Sequence, residues 1–303
     1  MLRVVHHPDY VAPQAPGSSF PFDKYGLVMM ALAEGGRAFE TIAPEPMPRR
    51  WLEAVHDPAY VAEVLAAAVP AEKEKRIGFP VTERIARRSL LSVGGTWAAA
   101  RLALAHGYAA NSAGGSHHAL HDTGAGYCVF NDLAVAAHRL LAEGDARAIL
   151  ILDLDVHQGD GTAALTAGEP AIFTLSLHAE KNFPPRKAQS SRDVALPDGM
   201  ADDAYLAVLD HELTGALADF MPDLILYQAG VDPHGGDRLG RLALTDAGLV
   251  ARDRLVMRRA RAAGVPIASS LGGGYGADRM AVARRHATVM WTLAEAQVEK
   301  VDG

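Results

Sequence analysis

The sequence predicts one α/β domain built on a central parallel β-sheet flanked by helices, and three observations carry that expectation. Short aliphatic or β-branched runs alternate with longer stretches rich in Ala, Leu and Arg. The short runs are apolar almost without interruption, as strands covered by helices on both faces are. Run after run then ends in His, Asp or Gly, which gathers polar groups at the carboxyl ends of the strands, where open α/β sheets bind ligands.

Taken in order, the expected strands are LRVVH (residues 2–6), a weaker YAANSAGG (108–115), ILILDLDVH (149–157), AIFTLSLH (171–178), DLILYQAGVD (223–232) and VPIASSLGGG (265–274). The expected helices occupy residues 81–107, 131–143, 203–220, 245–263 and 277–296. Asn131 and Thr245 stand where N-caps belong, and Pro266 marks the stop before the last strand. Gly94 and Gly95 are the expected site of a kink in the first of these helices. Residues 11–22 hold Pro13, Pro16 and Pro21 without periodicity and read as a loop at the surface or the rim of a site. No repeat, low-complexity tract or Pro/Gly/Ser linker divides the chain, so residues 1–303 are read as a single domain.

A net charge of −7 argues against a general nucleic-acid binder, which needs a basic surplus to neutralise phosphates. Cys128 is the single cysteine, so no internal disulfide is possible and a reducing compartment is expected. The start MLRVVHHPDYV lacks a basic segment followed by an apolar core, and no apolar run is long enough to span a membrane. A cytoplasmic location follows as an expectation, and Ala- and Arg-rich usage points to a high-GC bacterium.

Four strand ends carry the chemistry. DLDVHQGDG holds Asp153, Asp155, His157 and Asp160, and strand alternation would put the first three on one face. Two carboxylates and an imidazole behind ILIL would repel and desolvate one another without a cation, and Asp oxygen with His nitrogen suits zinc. Asp232 closes a second strand in AGVDPHGGD; it could equally be a cap or turn residue, or it can complete a set of three ligands with Asp155 and His157 that leaves a position open, as catalytic zinc sites do. In AGGSHHALHD, His117 and His118 form an adjacent pair suited to removing one proton and supplying another, each needing an orienting carboxylate such as Asp153 or Asp160. In SLGGGYGAD, three glycines deliver Tyr275, whose hydroxyl can donate to a developing oxyanion.

The order of these pieces resembles the histone deacetylase superfamily: Gly-Gly-x-His-His, Gly-Tyr-Cys…Asn-Asp, Asp-x-Asp-x-His-x-x-Asp-Gly-Thr, Ala-Gly-x-Asp, then Gly-Gly-Gly-Tyr. AGVDPHGGDRLGRLALT and FPFDKY look most like class IV members and their bacterial homologues. The resemblance implies an arginase/deacetylase-like fold and a zinc-dependent amidohydrolase that removes an acetyl or longer acyl group from lysine side chains. It implies Asp155, His157 and Asp232 as zinc ligands, and His117–Asp153 and His118–Asp160 as catalytic pairs with Tyr275 polarising the carbonyl. Tyr127 and Phe183 match the aromatic walls of the substrate channel, with Gly126, Gly273 and Gly274 beside them; Tyr127 departs from the usual Phe. Asp153, Ser176 and Leu177 resemble positions that hold K+ or Na+. Gly78 stands where class I members carry a substrate-gripping aspartate, the usual His-Arg before Phe20-Pro21 is absent, and Lys24 lies at the foot of the channel or on the surface.

Two rivals remain at this stage. A deacetylase of small acylated amines such as acetylpolyamines shares the same site, and a non-catalytic zinc-binding module would have lost a ligand, a catalytic His or the Tyr. Arginase would require a second Asp where His234 stands. Cys128 has no base in its motif and reads as packing.

Overall fold

The computed structural model describes residues 1–15 and 17–299; Pro16 and residues 300–303, part of the loop and single-domain readings, lie outside it. The chain opens with β1 (Leu2–Val5), a 3-10 turn (Pro8–Tyr10), α1 (Lys24–Ala33) and β2 (Phe39–Ile42). Four helices follow, α2 (Arg49–Glu53), α3 (Pro58–Leu65), α4 (Ala71–Ile77) and α5 (Glu83–His106), leading to β3 (Tyr108–Asn111). Next come α6 (Asp132–Glu143), β4 (Ile149–Asp153), α7 (Asp160–Leu165), β5 (Ile172–Ala179) and β6 (Arg192–Leu196). The last part is α8 (Asp202–Phe220), β7 (Leu224–Gln228), α9 (Asp246–Ala262), β8 (Ile267–Ser270) and α10 (Arg279–Val298).

All eight strands join one sheet in the order β2-β1-β3-β8-β7-β4-β5-β6, and every pairing is parallel. The continuous apolar runs are explained by two cores. Ile149 and Ile151 of β4 point with Leu224 and Leu226 of β7 into a layer with Ala99, Leu133 and Ala136 of α5 and α6. Leu150 and Leu152 point the other way, into the larger core that includes Leu209, Leu213, Val256, Met257 and Leu293 of α8, α9 and α10. Truncating Ile151 or Leu226 to alanine would remove burial worth about 2–5 kcal/mol.

Every expected strand exists, and all but β5, which runs to Ala179, are shorter at the carboxyl end than the apolar run suggested. The most instructive case is β4, which stops at Asp153. Asp153 Oδ1 accepts the Asp155 amide at 3.1 Å, and Asp155 Oδ1 accepts the His157 amide at 3.0 Å. These local side-chain bonds compete with the ladder and turn the backbone into a loop. Asp155 and His157 therefore do not share a strand face with Asp153, as alternation had implied.

The edge strands β2 and β6 and the helices α1 to α4 had no counterpart in the sequence reading. Gly94 and Gly95 lie inside one continuous 24-residue helix. Their role is close approach: a Cβ on Gly94 would strike the Glu45 carbonyl, and one on Gly95 the Tyr10 hydroxyl.

Candidate active site and metal centre

Loops from the carboxyl ends of β3, β4, β7 and β8 meet in a cavity of about 350 Å³. At its floor, one oxygen or nitrogen from each of Asp155, His157 and Asp232 lies within 4.8 Å of the others. All three residues are buried, Asp232 completely. His157 Nδ1 is 2.9 Å from Asp155 Oδ1 and 3.2 Å from Asp232 Oδ2. Despite that proximity, Asp232 Oδ2 lacks a hydrogen-bond partner of acceptable geometry.

Burial, then repulsion from Asp155, pushes the Asp232 carboxyl up to about 7. Burial opposes a charge on His157, but the two carboxylates outweigh it and lift the imidazole to about 10. So much negative charge in a buried pocket calls for a cation. The donor spacing fits one, since tetrahedral bonds of 2.0–2.1 Å put neighbouring ligand atoms about 3.3 Å apart. The remaining atoms hold the ligands in place. Asp155 Oδ2 accepts the Gly273 amide at 2.7 Å, and Asp232 Oδ1 accepts the Val156 amide at 2.9 Å.

Beside the tripod stands the histidine pair, with ring centroids 4.1 Å apart. His117 Nδ1 donates to Asp153 Oδ2 and His118 Nδ1 to Asp160 Oδ1, each at 2.7 Å. Each bond leaves Nε2 free for chemistry. The environments differ. Burial works against a charged His117, but Asp153 and Asp155 overcome it and raise the group to about 9. For His118, burial and the neighbouring His117 dominate and lower it to about 4, so it is neutral and able to accept a proton.

Tyr275 lines the cavity, its ring 5.7 Å from that of Tyr127. Burial and the charges of Asp155 and Asp232 push its phenol well above the usual range, so the hydroxyl remains a donor. Phe183 meets His118 edge-on at 4.8 Å and leaves 44% of its surface exposed. Tyr127 stacks with Phe79 at 6.4 Å and bonds Ser19 Oγ through its hydroxyl at 2.8 Å, so the extra oxygen relative to Phe has a partner. Gly126 and Gly273 line the cavity. Gly274 does not: a Cβ there would meet Val231, Val282 and His286, beneath α10. Ser176 of β5 is in register with Asp153 of β4, its hydroxyl 2.9 Å from His178 Nδ1, and Leu177 is fully buried beside it. The Cys128 thiol is buried, which pushes it up and keeps it protonated.

Several supports went unread in the sequence. Asp132, at the start of α6, accepts the Gly115 amide at 3.0 Å and the Ser116 amide at 2.6 Å, which fixes the loop that carries both histidines. Asp237 accepts the Tyr275 amide at 2.6 Å while Arg238 donates to the Tyr275 carbonyl at 2.8 Å, a two-sided hold on one residue's backbone. Lys24 is buried at the cavity floor and donates to the Gly272 carbonyl at 2.8 Å, so the surface alternative for it is excluded. Burial lowers its ammonium to about 8. A signal for these was present: Asn-Asp and Asp-Arg lie inside motifs otherwise explained by their neighbours.

The model of the histone deacetylase domain matches residues 20–291. The chain belongs to the histone deacetylase family. An uncharacterized protein of Picosynechococcus sp. is 46% identical over 93% of this chain and 95% of its own length. Histone deacetylase 2 of Arabidopsis thaliana is 32% identical over 84% of this chain and 69% of its own. The crystal structure of the HDA15 HD domain superposes with a TM-score of 0.81 over 99% of this chain and 90% of that one, at 23% identity, which is a likeness of fold. As a histone deacetylase-family member the chain is a hydrolase with the family's arginase-like architecture. No helix among the described residues is long and apolar enough to cross a membrane.

Proposed function

We propose that this protein is a zinc-dependent lysine deacylase that hydrolyses the amide of an acylated lysine side chain, acting as a single cytoplasmic domain of the class IV-like branch. The observation that carries the reading is the pairing of two differently tuned imidazoles with their own carboxylates, 2.7 Å each, beside a buried Asp–His–Asp tripod. A non-catalytic module has no use for both.

In this reading Asp155, His157 and Asp232 hold zinc, which when bound supplies Lewis acidity to the amide carbonyl and lowers the pKa of a water. Neutral His118, oriented by Asp160, takes a proton from the attacking water at Nε2. Tyr275 donates to the carbonyl oxygen as negative charge grows there. His118 then delivers its proton to the leaving nitrogen, so water and amide become a carboxylic acid and the free lysine amine. His117, held charged by Asp153, places a fixed positive charge beside that oxyanion. Tyr127 and Phe183 flank the alkyl stem and exclude water from it. Asp153, Ser176 and the Leu177 backbone are the proposed holders of a K+ or Na+ ion behind the site.

The test is a panel of peptides carrying acetyl, butyryl, octanoyl or myristoyl lysine, with acetylputrescine and acetylspermidine beside them. Turnover of lysine substrates that disappears in Asp155→Ala supports the reading and sets the acyl length. Turnover of the polyamines alone would replace it.

A further inference from the structure

The mouth of the cavity carries charge that the deacylation chemistry does not use. Lys75 and Arg76, on the last turn of α4, are exposed and line the entrance beside Ile77 and Gly78. On the same helix Lys73 pairs with Glu63 at 2.6 Å and Glu74 accepts the Val81 amide at 2.7 Å, while the exposed Glu72, in the first turn, does not line the cavity. Lys75 and Arg76 have no ion-pair partner among the described residues.

Among the described residues that line the cavity the sole carboxylate is Asp155, at the floor within the tripod. The two other lining cations are committed inside: Lys24 to the Gly272 carbonyl, and Arg88 to the Tyr10 carbonyl at 3.0 Å. The free charge at the entrance is therefore positive, on a chain whose net charge is −7. The backbone also keeps a carboxylate away from the nearest rim position. Gly78 has φ +97°, and a Cβ there would lie 2.9 Å from the Tyr127 ring, so the rim accepts no side chain at that point.

We infer that this mouth selects acyl-lysines set in acidic sequence, with Asp or Glu side chains next to the acylated lysine meeting Lys75 and Arg76. The inference rests on the deacylase reading and names its substrate class. Exposed ion pairs contribute little one at a time, but they separate substrates that differ only in charge, and like charges at the same place reject the wrong one. The same field disfavours polyamines, which retain ammonium groups beyond the amide being cleaved.

The experiment measures kcat/KM for three peptides that share one acyl-lysine and differ only in Glu, Ala or Lys at the flanking positions. The wild-type protein is compared with Lys75→Ala/Arg76→Ala and Lys75→Glu/Arg76→Glu at low and high salt. Both side chains are exposed, and thermal melting checks that the variants fold. The Glu-flanked peptide should exceed the Lys-flanked one by about tenfold at low salt, salt should shrink the ratio, and charge reversal should invert the order. A ratio near one in the wild type, or an order that survives charge reversal, overturns the inference while leaving the deacylase reading in place. Absence of turnover on all three peptides with metal bound removes both.

Discussion

The floor and the mouth of one cavity are built on opposite terms. At the floor, Asp155, His157, Asp232, His117 and His118 are all buried, and apart from the orphaned Asp232 oxygen their side chains are tied to a carboxylate or a backbone amide. At the mouth, Lys75, Arg76 and Phe183 are exposed, and the two cations make no ion pair among the described residues. Buried polar groups are tolerated only when their partners are fixed, so the floor has a single arrangement, and that arrangement is a chemistry. Exposed side chains keep their rotamers, which leaves the mouth to choose among substrates without altering the reaction. Changes at the floor should therefore act on kcat, and changes at the mouth on the ranking of substrates.

The largest effect is expected from Asp155→Ala, which removes a proposed zinc ligand and the acceptor of the Gly273 amide. Zinc content should fall away in elemental analysis and turnover should vanish with it. Tyr275→Phe should keep the metal yet lower kcat by about 10²–10³, the usual cost of one oxyanion donor. Retained activity in either variant would break the claim that the floor performs the reaction.

Next come residues that hold the backbone of Tyr275. Asp237→Ala and Arg238→Ala each release one side of the Tyr275 backbone. A displacement of about 1 Å in a reacting group can cost up to 10²-fold, so each should lower kcat by about tenfold or more with zinc stoichiometry intact and KM little moved. If KM alone responds, the loop belongs to the mouth.

A smaller effect concerns the support beneath the floor. His56 is fully buried, accepts the Asn131 amide at Nε2 (3.0 Å) and donates from Nδ1 to the Leu120 carbonyl at 2.8 Å. Burial lowers it to about 4, as it does His6 and His178. These three histidines thus bind fewer protons in the folded state than in the unfolded one between about pH 6.5 and 4. The stability that their neutral burial contributes is complete above pH 6.5 and declines as pH falls through that window. Melting followed from pH 7 to 4.5 should show the decline, and His56→Gln should reduce it by on the order of 2 kcal/mol. The smallest effect is Tyr127→Phe, which loses one exposed bond to Ser19, with stability changing by less than about 1 kcal/mol.

What the sequence disclosed follows the same division. The central strands were legible because both faces of β4 and β7 are covered, which writes burial into consecutive residues. The edge strand β2 was not, since Phe39–Ile42 is only half covered and reads FETI. The floor residues were legible because Asp and His following aliphatic runs are costly without a purpose. Their supports were harder to see: Asp132, Asp237 and Arg238 stand inside legible motifs, but the backbone groups they hold lie 16 to 38 residues away, and spacing does not reveal those partners. Strand ends misled for a related reason, because Asp153 and Asp155 bond the amides two residues on and end β4 early. Gly274 was assigned to the channel from its neighbours, yet the turn that delivers Tyr275 aims it at α10.

The most direct measurement of the central claim follows zinc content and acyl-lysine hydrolysis on the same preparations of wild type, His118→Ala and Asp155→Ala. The account predicts zinc and turnover in the wild type, zinc with turnover reduced at least about a hundredfold in His118→Ala, and neither in Asp155→Ala. Wild-type turnover in His118→Ala, or stoichiometric zinc in Asp155→Ala, would contradict it.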